Sequence, residues 1–264
     1  MGEAIVITSG KGGVGKTTSS ANIGTALAMM GKKVCMVDTD IGLRNLDVVM
    51  GLENRILFDI VDVANGQARL EQALIKDKRF DHLFLLPAAQ TKDKLALRVD
   101  AMQKIVRALK PQFDFIVIDC PAGIEHGFRV AVSAADQAIV VTTPEQAAVR
   151  DADRVIGLLE KEQIPSPKLV INRIRPNLVK NGDMLDIDDL VGILSLDLLG
   201  IVPDDEQVIK AANQGEPTVL RPDSRASIAY RNIARRILGE PVPLMNLQEE
   251  TGFFHKMRRL IGLG

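Results

Sequence analysis

The run G-K-G-G-V-G-K-T-T at 10–18 constrains this chain more than any other stretch. It follows a short β-branched segment, 4–8, and opens into an amphipathic one, so strand, tight loop and helix must succeed one another there. Gly10, Gly15, Lys16 and Thr17 complete the pattern G-x-x-x-x-G-K-[ST]. Gly12 and Gly13 add further freedom, letting backbone amides from Gly10 through Val14 to Thr18 turn inward around phosphate oxygens. The helix N-terminus adds positive potential, Lys16 can reach the β- and γ-phosphates, and the Thr17 hydroxyl can coordinate Mg²⁺. Nucleotide binding is the first functional expectation.

Downstream, β-branched runs at 4–8, 33–37, 82–86, 115–119, 138–142, 168–172 and 199–202 alternate with segments of helical periodicity or helix-forming composition at 15–30, 100–109, 145–160, 206–213 and 226–238. Such alternation predicts an α/β fold, a mostly parallel central sheet covered by helices on both faces. Neither an internal repeat nor a composition break divides the chain. We expect one domain over 1–238, a linker over 239–250 containing Pro241 and Pro243, and a separate helix over 251–264. The 33 Lys and Arg against 34 Asp and Glu argue against a strongly basic nucleic-acid binder, though a local basic patch stays open. Cys35 and Cys120 have no paired spacing, which excludes a disulfide framework and points to a reducing compartment. The first apolar run is too short for a signal peptide, and no long uncharged apolar run crosses a bilayer.

Two carboxylates, Asp38 and Asp40, leave the second strand at i and i+2. They can divide two tasks, one facing Mg²⁺ and one holding an attacking water. The apolar run F-I-V-I-D ends in Asp119 and continues to Gly123, a pattern that becomes informative only after a phosphate loop. For Asp47 the preferred reading is a helix-start or solvated acid.

The loop with its extra lysine, K-G-G-V-G-K-T at 11–17, resembles the signature of the deviant Walker A ATPases, a P-loop NTPase family. That resemblance implies ATP and Mg²⁺ as ligands, and a homodimer when ATP is bound. Lys11 then reaches the partner subunit's phosphates in the manner of an arginine finger. It also implies Thr17, Asp38 and Asp119 near Mg²⁺, Asp40 orienting water, Asn45 in the first switch, and Gly123 meeting the γ-phosphate. Asn172-Arg173 and Pro203-Asp204 become adenine-side loops. Cys120 suggests the iron–sulfur position of a related branch, but Cys35 lies within a strand, so a cluster is not expected.

The last fourteen residues, T-G-F-F-H-K-M-R-R-L-I-G-L-G, carry +3 without an acid, leaving −4 on the remainder of a chain whose net charge is −1. At helical spacing, Phe253, Phe254, Met257, Leu260 and Ile261 share an arc of about 120°. Lys256, Arg258 and Arg259 flank that arc or face away. A terminal helix docked on the core is one reading; an interfacial helix on anionic phospholipid is the preferred one. Further strings, at 41–47, 73–79, 149–154, 181–185 and 213–217, resemble the septum-positioning branch of the family. That branch implies ATP hydrolysis coupled to cycling at the cytoplasmic face of the cell membrane, recruitment of the division inhibitor MinC, and a spatial cue from MinE or a polar adaptor. DNA is not expected as a partner. Two rivals are a ParA-like DNA partition ATPase, using Arg221, Arg225, Arg231, Arg235 and Arg236, and a nucleotide-gated scaffold that barely hydrolyses ATP.

Overall fold

The computed structural model describes residues 2–245. The tail residues Phe253, Phe254, Lys256, Met257, Arg258, Arg259, Leu260 and Ile261 lie outside them, as does the end of the expected linker.

Eight strands form one sheet: β1 (Glu3–Thr8), β2 (Val34–Asp38), β3 (Ile75–Lys76), β4 (Leu83–Leu86), β5 (Phe115–Asp119), β6 (Gln137–Thr142), β7 (Lys168–Ile174) and β8 (Asp197–Pro203). Their spatial order is β3-β4-β2-β5-β1-β6-β7-β8, parallel throughout except for β3, which runs antiparallel to β4 at the edge. The expected strands are present with ends shifted by a residue or two, and β3 is the addition. At two residues it is too short to carry a periodicity of its own.

The helices are α1 (Lys16–Met29), α2 (Leu46–Met50), α3 (Ile60–Ala64), α4 (Leu70–Ala73), α5 (Val99–Leu109), α6 (His126–Val132), α7 (Gln146–Lys161), α8 (Pro176–Lys180), α9 (Ile187–Leu194), α10 (Glu206–Ala212) and α11 (Arg225–Ile237). The five expected helices are α1, α5, α7, α10 and α11. The others have eight residues or fewer, too few turns for a 3.6-residue period to stand out.

Because side chains alternate across a strand, each strand feeds two cores. From β1, Ala4 and Val6 enter a core with α3, α5, α6, α7 and α9, while Ile5 and Ile7 enter a second core with α1, α2 and α11. Strands β2 and β5 divide in the same way, Cys35 and Ile116 to one side, Met36 and Val117 to the other. Both faces of the parallel strands are therefore dry, which is why they read as continuous apolar runs. No helix among the described residues is long and apolar enough to cross a membrane.

This topology positions the site. The three central strands β2, β5 and β1 all end at the same edge, and the phosphate loop leaves β1 there, between the ends of β5 and β6. Open parallel sheets bind ligands at that carboxyl edge.

Candidate active site

The loop after β1 enters α1 through Gly15, whose φ of +95° lies in the left-handed region. A Cβ there would also stand 2.2 Å from the Asn172 side-chain amide, so glycine is required twice over. Asn172, buried on β7, donates from Nδ2 to the Val14 carbonyl at 2.8 Å and thereby braces the loop from two strands away.

Lys16 is buried at the first turn of α1, with Nζ 3.5 Å from Asp119 Oδ1. Burial alone would push its ammonium down, but the charges around it, Asp119 foremost and then Asp40 and Asp38, outweigh that and raise it. The lysine is held charged where phosphate oxygens would arrive. Ser20 lies one turn further along α1 and donates its hydroxyl to Asp119 Oδ1 at 2.7 Å, with the Lys16 carbonyl at 3.1 Å. Thr39 donates from its hydroxyl to the Asp119 carbonyl at 2.7 Å. Neither residue was expected from the sequence; the i+4 spacing from Lys16, which puts Ser20 on the same helix face, is the one signal that could have found it.

Asp38 and Asp119 are register partners on β2 and β5 and both are buried. Burial, reinforced by the Asp119 charge, raises the Asp38 carboxyl above the ordinary carboxylate range. Asp38 Oδ1 accepts the Asp40 amide at 2.9 Å and Oδ2 accepts the Leu46 amide at 3.2 Å, so one carboxylate gathers both ends of the intervening loop. Asp40 is half-buried; burial raises its carboxyl while Lys16 and Lys94 pull it down. Two buried acids side by side, one of them protonation-prone, are the donor set that a hard divalent cation neutralises, and the half-buried Thr17 is in the first turn of α1, next to Lys16. The residues present thus fit Mg²⁺.

Asp47 is in the first turn of α2, as a helix-start acid would be, but it is fully buried, not solvated. Its partner is Arg44, Nε at 2.9 Å, a non-glycine residue with φ +47°. Lys11 is exposed, with Nζ 3.9 Å from Glu145 Oε2, a surface pair worth little. Asn45 is exposed, and Gly123 follows β5 with φ +92°. On the far side, Pro203 and Asp204 line a groove of about 380 Å³ with Ile174, Arg175 and Arg225, where Arg175 Nε meets Asp204 Oδ2 at 2.6 Å. Arg173, exposed with φ +57°, does not line that groove. A larger groove of about 440 Å³ between α3 and α5 contains none of the loop or carboxylate residues.

The arginines considered as a nucleic-acid patch are turned inward or paired. Arg231 donates twice to the Val219 carbonyl, Arg235 pairs with Glu240 at 2.7 Å, and Arg221 bonds Gln207 and Gln214. Arg236 donates to the carbonyls of Leu199, Val242 and Pro243.

A parallel sheet with this loop leaving a central strand and an acid ending each of β5 and β2 defines a P-loop NTPase of the nucleotide-binding α/β class. Residues 5–219 match the family model of the CobQ/CobB/MinD/ParA nucleotide binding domain, and the chain belongs to that family. It is 65% identical to the septum site-determining protein MinD of Bacillus subtilis over 266 aligned residues, spanning 100% of this chain and 99% of that one. Among solved structures, it resembles MinD in the MinC:MinD cell division complex of Aquifex aeolicus, with TM-score 0.86, 50% identity, and 92% and 98% of the two chains covered. It also resembles septum site-determining MinD of Pyrococcus horikoshii complexed with Mg-ADP, with TM-score 0.81, 30% identity, and 90% and 96% covered.

Proposed function

We propose that this chain is an ATPase that positions the division septum, dimerising on ATP, binding the cytoplasmic face of the membrane through residues 251–264, and recruiting MinC. The observation that carries the catalytic part is the convergence of Lys16, Asp38, Asp119 and Asp40 at one sheet edge. The likeness to MinD along the whole chain, and to MinD bound to MinC, supports the cellular part.

In this reading the loop amides from Gly10 to Thr18 cradle the phosphates of ATP, and Lys16 offsets charge on the β- and γ-phosphates. Thr17, Asp38 and Asp119 would hold Mg²⁺, which when bound neutralises charge on the phosphate oxygens. Asp40, anchored through its amide to Asp38, orients the water that attacks phosphorus, and the Gly123 amide faces the γ-phosphate. Lys11 leaves its weak pair with Glu145 to act across the dimer. Asn172, Arg173, Pro203 and Asp204 border the base.

Two amphipathic tails on one dimer would bind anionic lipid with the avidity of a bivalent ligand, and one tail only weakly. MinE or a polar adaptor would supply the spatial cue. The backbone and side-chain bonding of Arg221, Arg231 and Arg236, and the pairing of Arg235 with Glu240, speak against a DNA-partition reading. Cosedimentation with anionic liposomes is the test: ATP should bring the protein down with the vesicles and ADP should not, and equal pelleting in both would sink the reading.

A further inference from the structure

Three of the strings noted for their resemblance to the septum-positioning branch, 41–47, 73–79 and 213–217, lie far apart in sequence yet adjoin one junction. At its centre is Arg79. Its Nε and Nη2 form a fork on the buried Asp77, at 2.9 and 2.6 Å, and its own backbone amide bonds the same carboxylate at 2.7 Å. With the guanidinium so fixed, Nη2 also donates to the Met50 carbonyl at 2.8 Å, and Nη1 to the Gly215 carbonyl at 3.4 Å. The backbones of Gly51 and Gly215 meet there, both with φ +66°; a Cβ on Gly51 would come 2.5 Å from the Gly215 carbonyl oxygen.

Met50 is the last residue of α2, and the first residue of that helix, Leu46, donates its amide to Asp38. α2 is a short helix of five residues, with Leu46 and Met50, its two ends, both buried. Gly215 closes the turn after α10, whose other end begins at Asp205, next to Asp204 of the groove beyond β8. One planar cation thus joins the far ends of two short helices whose near ends border the carboxylate loop and the base-side loop. A bidentate arginine suits this work, because its planar fork fixes direction as well as distance.

We infer that Arg79, seated on Asp77, is a positioning residue for nucleotide hydrolysis, setting α2 and hence the Asp38–Asp40 loop. This rests on the hydrolytic reading above. Arg79 touches no phosphate-loop residue, so its loss should lower turnover and leave ATP affinity nearly intact.

The test uses the full chain, with Arg79→Ala and the charge-conserving Arg79→Lys, read by steady-state ATP hydrolysis and by hydrogen exchange. Misplacing a catalytic group by an ångström can cost about a hundredfold. We expect kcat to fall by about ten- to a hundredfold with KM within about twofold, and exchange to quicken at 41–51 and 206–215 more than elsewhere. If Arg79→Ala does not fold, Arg79→Lys, which lacks the fork, carries the same expectations. Wild-type kcat, unchanged exchange at 41–51, or uniform acceleration along the whole chain would overturn the inference. A wild-type protein that does not hydrolyse ATP at all would instead overturn the hydrolytic reading, leaving the exchange result to judge Arg79.

Discussion

Asp38 and Asp119 stand side by side as register partners on paired parallel strands, both with almost no exposed surface. Burial first, and then the like charge beside it, raises the Asp38 carboxyl, and the charge of Asp119 calls for compensation from other elements. Lys16 and Ser20 supply that compensation from a single face of α1, at 3.5 and 2.7 Å from the same Asp119 oxygen. The paired carboxylates so held are donors of the kind that suit a hard divalent cation.

Ser20→Ala should expose this dependence. Losing one buried hydrogen bond should cost about 1 kcal/mol of stability, and the Mg²⁺ concentration for half-maximal turnover should rise severalfold. Ser20→Thr should restore most of it. A magnesium titration of ATP hydrolysis checks this, and an unaltered requirement would remove Ser20 from the site.

Substitutions in the loop and switch should separate binding from chemistry. Asp40→Ala should keep ATP binding and dimerisation and lose turnover, while Lys16→Ala should impair binding and turnover together. Lys11→Ala should weaken the dimer-dependent part of hydrolysis. Nucleotide-binding and single-turnover measurements distinguish these, and wild-type hydrolysis by Asp40→Ala would overturn its assignment.

Tyr230 is buried on α11, hydrogen-bonded to Ser19 at 3.2 Å, with its hydroxyl pushed up to about 12 chiefly by burial. Tyr230→Phe should therefore cost about 1–2 kcal/mol, as a shift in urea midpoint at constant m. The loss should be the same from pH 6 to 9, because the phenol stays protonated throughout that range. A cost that varied with pH there would contradict it.

Asp205 caps α10 and also accepts from Ser224 and Ala226. Burial opposes its ionisation, but those hydrogen bonds prevail and its carboxyl lies below the ordinary value of 3.8. Between the lowered and ordinary values the unfolded chain binds more protons than the folded one, so stability rises with pH in that interval. Its contribution is complete above about pH 4–5 and is lost as the pH falls through the lowered value. Asp205→Asn should flatten this limb of a stability profile between pH 2 and 5, and an unchanged slope would refute the assignment.

The tail prediction concerns residues 251–264. Deleting them should abolish liposome binding and leave ATP-dependent dimerisation intact. Arg258→Glu should weaken binding most on anionic vesicles, whereas Phe254→Glu should weaken it on anionic and neutral vesicles alike. If the truncated protein unfolds, or pellets with vesicles as the full chain does, the membrane reading is wrong.

The sequence by itself determined the strands of the parallel sheet, because a strand buried on both faces must be apolar at every position, and the phosphate loop, because only clustered glycines permit its backbone. It marked Lys16, Asp38, Asp40 and Asp119 as chemistry-bearing through their places at loop and strand ends. Tertiary structure decided which of them meet. Asp38 faces Asp119 because β2 and β5 pair, although β3 and β4 lie between them in the chain. Ser20 on Asp119, Asn172 under Val14 and Arg79 against Met50 and Gly215 likewise join residues on elements remote in sequence. The same holds for Asp47, whose burial follows from the packing of α2 on α1 and whose own residue type suggests only a helix start. Local periodicity records which face of an element is dry. It carries no information about which other element supplies the cover, and that is set by crossover connections and by the shape of the two cores.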